Sequence, residues 1–354
     1  MLLPGFVRTL AKRLPLAGLV RSAWKIDVDH SAEQLRKDIA RLARTVDRLA
    51  ADQTAVNELA TRMERHAAQI KEASRLNDRY RDILATLDSS LDLARVIAHV
   101  KQSIAAARLQ MDPFPHIVAE SLMPTDVYKL VRDAIPSALF FSQTDPVKQN
   151  IRIPMDFAPA LSTRAWDFVD VVSREAIRPA IMEKFLEPLD QHLEAIFGAE
   201  HRAAALAMPQ SVAGGRLMLR REGYHLDPHR DPKRVMVTCL LYFASPHDSE
   251  AFGTQTFRVH GDTEASYQET FYPAERGGQC ELVKVVPFRP NTALMFLNSG
   301  GAHGVDIPDT LHGVERHSFQ FYIGPDQDAL EALVARLPTE RQALWRERKN
   351  ADGT

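Results

Sequence analysis

Glycine and proline are missing from long stretches of the first third of this chain. No glycine stands between Gly18 and Gly198, and no proline stands between Pro15 and Pro113. Because these two residue types punctuate regular structure, their absence predicts nearly continuous helix. Glycines recur after Gly198, which is typical of strands joined by turns.

Cysteine is also scarce, and the charges nearly cancel. With only two cysteines in 354 residues, the chain has no disulfide framework, and a reducing compartment, the cytoplasm, is expected. The 44 basic residues balance 46 acidic ones, which excludes a general attraction to nucleic acid or to an anionic membrane. A hydrophobic content of 45% indicates an ordinary globular protein, and the length predicts two or three structural units.

Residues 1–29 form a basic N-terminal segment. The first 25 residues hold five Lys or Arg and no acidic residue, and no apolar run there approaches the roughly 20 residues of a membrane span. Neither a signal peptide nor its cleavage site is indicated. An amphipathic helix at a membrane surface is one interpretation. We favour the other, a solvated or locally packed terminal helix, because prolines interrupt the segment.

Residues 30–111 carry a heptad pattern that predicts a coiled coil. Its apolar seam runs through Leu35, Ile39, Leu42, Val46, Leu49, Val56, Met63 and Ile70. A second set with the same spacing follows Asp88-Ser89-Ser90: Leu93, Ile97, Val100 and Ile104. Self-association through this region is expected. A long helix packed on its own globular domain is the alternative.

Strand patterns dominate after residue 214. Apolar or alternating runs predict strands at 216–221, 235–244, 254–259, 281–286, 292–298 and 317–323, and the earlier stretch HIVAES (116–121) also predicts a short strand. No helix-length segment alternates with them, so an antiparallel barrel or jelly roll is favoured over a parallel sheet.

The stretch GYHLDPHRD contains two His-x-Asp pairs, at His225/Asp227 and His229/Asp231. Residues two apart in an extended segment point the same way, so an imidazole and a carboxylate can bind one ion together. His303 follows a later strand and can supply a third ligand. The glycines around it, Gly300, Gly301 and Gly304, are expected to leave room for close approach to the site. Two imidazoles and one carboxylate are a common set for Fe(II), and Zn(II) accepts the same ligands.

The last strand, ERHSFQFYIG, has a polar and an apolar face. Arg316, Ser318 and Gln320 share one face, and Phe319 and Phe321 share the other. A polar face with an arginine suits a barrel interior that holds a carboxylate, whereas the apolar face is expected to lie under helices.

Together, these motifs resemble the Fe(II)- and 2-oxoglutarate-dependent oxygenase superfamily, in particular its prolyl-4-hydroxylase-like branch. The resemblance rests on the order GYHLDPHRD, LLYFA, FGTQTF, PNTALMFLNSGGAHGV and ERHSFQFYIG, and it covers about 112–325. It implies an α+β fold: a double-stranded β-helix (jelly-roll or cupin-like) catalytic domain with flanking helices. The long helical coiled-coil region precedes this domain, and a helical tail, 326–354, follows it.

The resemblance also implies a site and a reaction. His229, Asp231 and His303 are the expected iron ligands, because the branch places a proline directly before the metal-binding histidine; His225/Asp227 is the alternative pair. Arg316 and Ser318 are expected to bind the cosubstrate 2-oxoglutarate. The implied reaction consumes O2, with ascorbate as an optional reductant, hydroxylates a C–H bond of a small molecule, glycan precursor or protein side chain, and releases succinate and CO2.

One departure from the branch concerns the strand before the first histidine, where a tyrosine often stands near the cosubstrate. Here that strand reads RLMLRR, which brings Leu219, Arg220 or Arg221 to the position. Two other functions use the same residues: a non-redox zinc hydrolase, and a coiled-coil interaction protein whose oxygenase-like barrel is inactive. The sequence contains no motif that identifies the substrate.

Overall fold

The computed structural model describes residues 17–261, 270–343 and 345. Residues 1–16 of the basic segment and 346–354 of the predicted tail lie outside the described residues. Among the helices of the described part, none is long and apolar enough to cross a membrane. The chain divides into two compact units, Met1–Ala68 and Gln69–Thr354.

The first third is helical, in agreement with its lack of glycine and proline. Helix α1 spans Ala17–Arg79, α2 spans Arg81–Ser90 and α3 spans Leu93–Ala106. Helix α2 ends at Ser90, where the heptad pattern of the sequence changes phase. Asp92 caps α3 by accepting a hydrogen bond of 3.1 Å from the backbone N–H of Arg95.

The two parts of the heptad pattern have different surroundings. On α1, the described seam side chains are exposed: Ile39, Val56, Met63 and Ile70. The side chains of Leu35, Leu42, Val46 and Leu49 lie outside the described set, so self-association through α1 stays a prediction. On α3, Val100 and Ile104 of the second set are completely buried, Ile97 is half-buried, and Leu93 is exposed. This second part therefore packs within the unit Gln69–Thr354, which begins inside the predicted 30–111 region.

Further helices flank the strands. They are α4 Thr125–Asp133, α5 Ala160–Val172, α6 Arg178–Lys184, α7 Leu186–Phe197, α8 Arg202–Leu206, α9 Gln327–Val334 and α10 Thr339–Ala343. A turn of π-helix, Ser173–Ile177, joins α5 to α6.

The strands form two antiparallel sheets. Their bounds are β1 His116–Ala119, β2 Lys148–Arg152, β3 Gln210–Arg220, β4 His225–His229, β5 Val237–Tyr242, β6 Thr254–His260, β7 Gln279–Val286, β8 Thr292–Leu297, β9 Gly301–Asp306 and β10 Arg316–Pro325. One sheet has the order β1-β8-β5-β10-β3-β2 and the other β4-β9-β6-β7. From β3 to β10 the chain alternates between the sheets, apart from the β6–β7 hairpin. This is the jelly-roll arrangement of a double-stranded β-helix, and it confirms the predicted fold.

Three strands of this fold were not predicted from the sequence. β2, KQNIR, is short and polar, and β9, GAHGVD, contains two glycines. β4 contains Pro228; it lies at the edge of its sheet, beside β9, and an edge strand tolerates a proline.

Helices pack on one face of the six-stranded sheet, and the other face lines the interior of the barrel. Phe319, Phe321 and Ile323 of β10 are completely buried, and the Phe319 ring lies 5.5 Å from that of Trp166 on α5. Arg316 and Gln320, on the opposite face of the same strand, line an interior cavity. The two predicted faces of β10 are therefore confirmed, and the fold turns its polar face toward the candidate site.

Candidate active site

The three predicted metal ligands lie together at one end of the four-stranded sheet. His229 ends β4 and lies directly opposite His303 of β9 in the strand register. Asp231 follows two residues after His229. One donor atom from each of the three residues lies within 4.8 Å of the other two, and all three side chains are buried.

The spacing of these donors suits a single ion. Imidazole nitrogens and carboxylate oxygens bind such ions at about 2.0–2.2 Å, so two donors on one ion are at most about 4 Å apart. Nε2 of His303 lies 3.8 Å from Oδ2 of Asp231. The rings of His229 and His303 have centroids 4.1 Å apart. This donor set therefore fits a divalent transition metal.

Hydrogen bonds from neighbouring residues hold Asp231 in place. The Thr238 hydroxyl, on β5, donates to Oδ2 at 2.6 Å, and the Tyr322 hydroxyl, on β10, lies 3.4 Å from Oδ1. Nδ2 of Asn298 donates to the backbone oxygens of Asp231, Pro232 and Val235 at 2.8–3.1 Å. Both the carboxylate and the loop that carries it are thus oriented by other strands.

The surroundings of the two imidazoles suit metal binding. Burial, and then the neighbouring His229, hold the pKa of His303 well below its usual range. Nδ1 of His229 lies 2.9 Å from the backbone oxygen of Asp227. When that nitrogen carries the proton and donates, Nε2 of His229 keeps the lone pair that a metal requires.

The alternative His-x-Asp pair has another arrangement. His225 Nε2 lies 3.0 Å from Asp227 and its Nδ1 lies 3.0 Å from Asp306, and all three side chains are exposed. These carboxylates raise the pKa of His225, Asp227 contributing most. The pair thus forms a surface ion-pair cluster, and it is not part of the ligand cluster identified among the described residues.

The predicted cosubstrate residues face the same barrel interior. Arg316 is 3% exposed, donates from Nε to the backbone oxygen of Phe252 at 2.6 Å, and donates from Nη1 to the Ser318 hydroxyl at 3.1 Å. Its guanidinium also lies over the rings of Tyr242 and Phe288. Among the described residues, no carboxylate forms an ion pair with it. A buried arginine without a protein anion indicates that an anionic ligand binds here.

One cavity of about 260 Å³ connects the ligand cluster to Arg316. Its lining includes the following polar side chains: Lys148, Asn150, Arg216, Arg220, Tyr224, His229, Asp231, Thr254, Thr270, Tyr272, His303, Arg316, Gln320 and Tyr322. A metal and a small anion can therefore occupy the same enclosed space.

The structure selects among the residues expected on β3. Arg220 faces the cavity, is 3% exposed and stacks on Tyr224 at 4.8 Å. Leu219 packs in the helix-covered core, and Arg221 forms an ion pair of 2.8 Å with Glu315. Arg220 therefore takes the position where the branch often has a tyrosine.

Several residues of the site were missed from the sequence. Thr238 and Tyr322 contact Asp231 only because β5 and β10 pair, and no local motif marks them. Arg216 was seen only as part of a strand. Its spacing of four from Arg220, which puts both on one face of β3, could have indicated a second interior cation.

Two of the glycines near His303 have a different role from the one predicted. They were expected to give a ligand room to approach. A side chain at Gly301 would collide with the ring of Phe114, and a Cβ at Gly304 would lie 2.7 Å from the backbone oxygen of Leu226. These glycines therefore allow close packing of β9 against its protein neighbours.

No family model and no curated protein matches the chain. Similar folds occur among solved structures. A prolyl-4-hydroxylase from Pseudomonas putida is 15% identical, covers 65% of this chain and 99% of its own, and has a TM-score of 0.32. HygX from Streptomyces hygroscopicus, with nickel and 2-oxoglutarate bound, is 14% identical over 60% of this chain and 83% of its own, with a TM-score of 0.35.

A further similar structure is an oxidoreductase of the 2OG-Fe(II) oxygenase family from Burkholderia pseudomallei. It is 7% identical, covers 64% of this chain and 89% of its own, and has a TM-score of 0.35. One of these three proteins is thus a 2OG-Fe(II) oxygenase by name, and another has 2-oxoglutarate bound. At such identities and TM-scores, however, the likeness assigns neither a reaction nor a substrate to this chain.

Proposed function

We propose that this protein is an Fe(II)- and 2-oxoglutarate-dependent dioxygenase that hydroxylates a C–H bond of its substrate and releases succinate and CO2. The observation that carries the proposal is one cavity with the His229, Asp231 and His303 cluster at one part of its wall and a buried arginine at another. A metal and an anionic cosubstrate are required together by this reaction, and the cavity provides a place for each.

The three clustered side chains would hold the iron. Asp231 supplies a negative charge that offsets part of the metal charge, and the two imidazoles bind as neutral ligands. Iron, 2-oxoglutarate and O2 together would supply the oxidation, in which 2-oxoglutarate becomes succinate and CO2 and the substrate gains a hydroxyl group. Three protein ligands leave further coordination positions open for these reactants.

The remaining residues position the reactants and exclude water. Arg316 and Ser318 would bind the far carboxylate of 2-oxoglutarate, because a guanidinium offers paired N–H donors that match a carboxylate. Thr238 keeps the Asp231 carboxylate pointed at the ion. The ligands are 4–6% exposed, so the wall around them keeps bulk water away from the reacting atoms.

Arg316 favours this function over a zinc hydrolase. Hydrolysis at a three-ligand zinc site needs a bound water and a general base, and it gives no reason to bury a guanidinium without a carboxylate partner. A cosubstrate with two carboxylates gives that reason. The same buried arginine favours an active enzyme over an inactive barrel.

The test is anaerobic titration of the metal-free full chain with Fe(II) and then 2-oxoglutarate, followed by oxygen and detection of succinate. We expect one iron per chain and iron-dependent succinate formation. His229→Ala, Asp231→Ala and His303→Ala should each abolish both, whereas the matched variant His225→Ala should keep both. Succinate formation that persists in all three ligand variants would refute the proposal, and a zinc-loaded chain serves as the redox-inactive control.

A further inference from the structure

Positive side chains stand opposite one another on the inner face of the six-stranded sheet. In the strand register, Lys148 of β2 lies opposite Arg220 of β3, and Arg220 lies opposite Arg316 of β10. Four residues further along β2, on the same face, Arg152 lies opposite Arg216. Paired residues point to the same face of a sheet, so five cations share this face.

Such an arrangement is costly in the empty protein, because like charges directly opposite each other destabilise a sheet. After burial, repulsion from Arg220 contributes to lowering the pKa of Arg316, and repulsion from Arg216 contributes to lowering that of Arg220. Among residues 17–261, 270–343 and 345, no carboxylate forms an ion pair with any of the five. The charge of Asp145 acts in the opposite direction on the pKa of Arg220, so only part of the repulsion is offset, and without an ion pair.

The cosubstrate does not neutralise the cavity. The described charged residues in its lining are Lys148, Arg216, Arg220 and Arg316, against Asp231, which gives 4 − 1 = +3. A divalent ion raises the total to +5, and the two carboxylates of 2-oxoglutarate reduce it to +3. The described wall therefore keeps a net positive charge that favours binding of a second anion.

Most of the N–H groups of Arg220 and Arg216 are already used in hydrogen bonds within the protein. Arg220 donates to the backbone oxygens of Gln149 and Leu219 and to Asn150 at 2.8–3.1 Å. Arg216 donates from Nε and Nη2 to Gln320 and from Nη2 to the Tyr322 hydroxyl.

By contrast, within the described part of the chain, Nη1 of Arg216 makes no hydrogen bond. The same holds for the ammonium group of Lys148, which is exposed at the edge strand. Both groups thus face the cavity with hydrogens that no described protein atom accepts.

Arg216 is also close to the reacting centre. Its Nη2 lies 3.1 Å from the Tyr322 hydroxyl, which in turn lies 3.4 Å from Oδ1 of Asp231. An anionic group bound to Arg216 would therefore lie near Asp231, which is proposed to hold the iron. Arg316, by contrast, is at the other end of β10 from Tyr322, six residues away along the strand.

We propose that the substrate is a small anionic molecule whose phosphate or carboxylate group binds to the cationic wall of β2 and β3, where Arg216 and Lys148 lie four residues apart in the register and both line the cavity. This inference rests on the proposed function only in calling the bound molecule a substrate. The anion site itself is a property of the β2–β3–β10 wall. Within this wall, Arg216 lies four residues along β3 from Arg220 and so away from the Arg316 and Ser318 pair assigned to 2-oxoglutarate, whereas Lys148 lies in the same row of paired residues as Arg316.

The experiment is calorimetric titration of the metal-free full chain with two probes, inorganic phosphate and malonate. Wild type should bind at least one, and Arg216→Gln or Lys148→Gln should weaken binding about tenfold, the effect of losing one charge-assisted hydrogen bond. Arg221→Gln is the matched control, because Arg221 follows the same strand but pairs with Glu315. The tighter probe identifies the anion as a phosphate ester or a carboxylic acid.

Two other variants and measurements separate the outcomes. Arg316→Gln should weaken 2-oxoglutarate binding and leave the second anion bound. Removing one of the opposed cations should leave the melting temperature of the metal-free chain equal or higher at low salt, since it relieves repulsion. A lower melting temperature in Lys148→Gln, whose side chain is exposed, would contradict the repulsion.

The inference is overturned if neither probe binds in the millimolar range, or if binding is unchanged in both Arg216→Gln and Lys148→Gln. It is also overturned if Arg216→Gln weakens 2-oxoglutarate binding but not probe binding, because Arg216 would then serve the cosubstrate. Phosphate bound through Arg216 in a chain that takes up no iron would instead refute the proposed oxygenase and leave the anion site standing.

Discussion

Replacing Thr238 with valine tests how the barrel orients the metal site without touching a ligand. Thr238 is completely buried in the middle of β5, and its hydroxyl donates to Oδ2 of Asp231 at 2.6 Å. Valine keeps the branched shape and removes the donor. The Asp231 carboxylate then loses its short hydrogen bond and part of its orientation.

The size of the effect follows from the charge on the acceptor. A hydrogen bond to a charged group contributes about 1.5–3 kcal/mol. Loss of a residue that orients a metal ligand typically lowers metal affinity about 10- to 100-fold, which corresponds to about 1.4–2.7 kcal/mol. The two estimates agree, so we expect Thr238→Val to bind Fe(II) or Mn(II) about 10- to 100-fold more weakly than the wild type.

The assay is anaerobic metal titration followed by calorimetry, with the thermal unfolding of the metal-free chain measured in parallel. Tyr322→Phe is the matched control, because its hydroxyl lies 3.4 Å from Oδ1 of Asp231. That distance exceeds the usual range for O–H···O bonds, so its removal should change metal affinity by less than about threefold. Equal metal affinity in wild type and a correctly folded Thr238→Val would refute the assignment of Asp231 as an oriented ligand.

The remaining predictions concern the cosubstrate, the surface histidine and the long helix. Arg316→Gln should raise the dissociation constant of 2-oxoglutarate about 10- to 100-fold, since charge-assisted bonds are lost, while a metal titration shows little change. His225→Gln should keep succinate formation. Because neighbouring carboxylates raise the pKa of His225 in the folded chain, its contribution is full below the unfolded pKa of about 6.5 and is lost as pH rises through the folded pKa. Its side chain is 56% exposed, so chemical denaturation at acidic pH should show a loss below about 1 kcal/mol. Glutamate at both Val56 and Met63, exposed seam positions of α1, should lower the sedimentation mass to that of a monomer if the coiled coil forms.

Each of these has an outcome that contradicts it. Unchanged 2-oxoglutarate binding in Arg316→Gln would separate that residue from the cosubstrate. Loss of succinate formation in His225→Gln would show that the surface pair takes part in the reaction. A wild-type chain that sediments as a monomer would end the prediction of self-association through α1.

The barrel could be predicted because most of its strands have a recognisable local pattern of apolar residues. Six candidate strands after residue 214 were found in this way. One is VMVTCLLYFA, which contains β5, and every residue of β5 is buried, as a strand covered on both faces requires. The inward and outward faces of β10 followed from simple alternation. β2, β4 and β9 could not be found in this way, because sheet edges and glycines carry no apolar pattern.

The candidate site was predictable only where residues are close in sequence or follow a known motif. His229 and Asp231 share one short segment, and His303 was a candidate because it follows a later strand among glycines, a position that also matches the family pattern. Thr238 and Tyr322 reach Asp231 by strand pairing across 7 and 91 residues. Such contacts depend on register, which a single sequence does not reveal. The opposed cations of β2, β3 and β10 were missed for the same reason.

The two sheets divide the chemistry of the cavity between them. The four-stranded sheet and the loop after β4 bring the ligand cluster, whereas β2, β3 and β10 of the other sheet bring the cations. A metal surrounded by guanidinium groups would be repelled, so separation on opposing sheets lets one cavity hold both. The Tyr322 hydroxyl, between Arg216 and Asp231, is where the two halves meet. Under the two proposals, anions that bind both the metal and the cationic wall would bridge the barrel, and their binding would offset the cost of the five opposed cations.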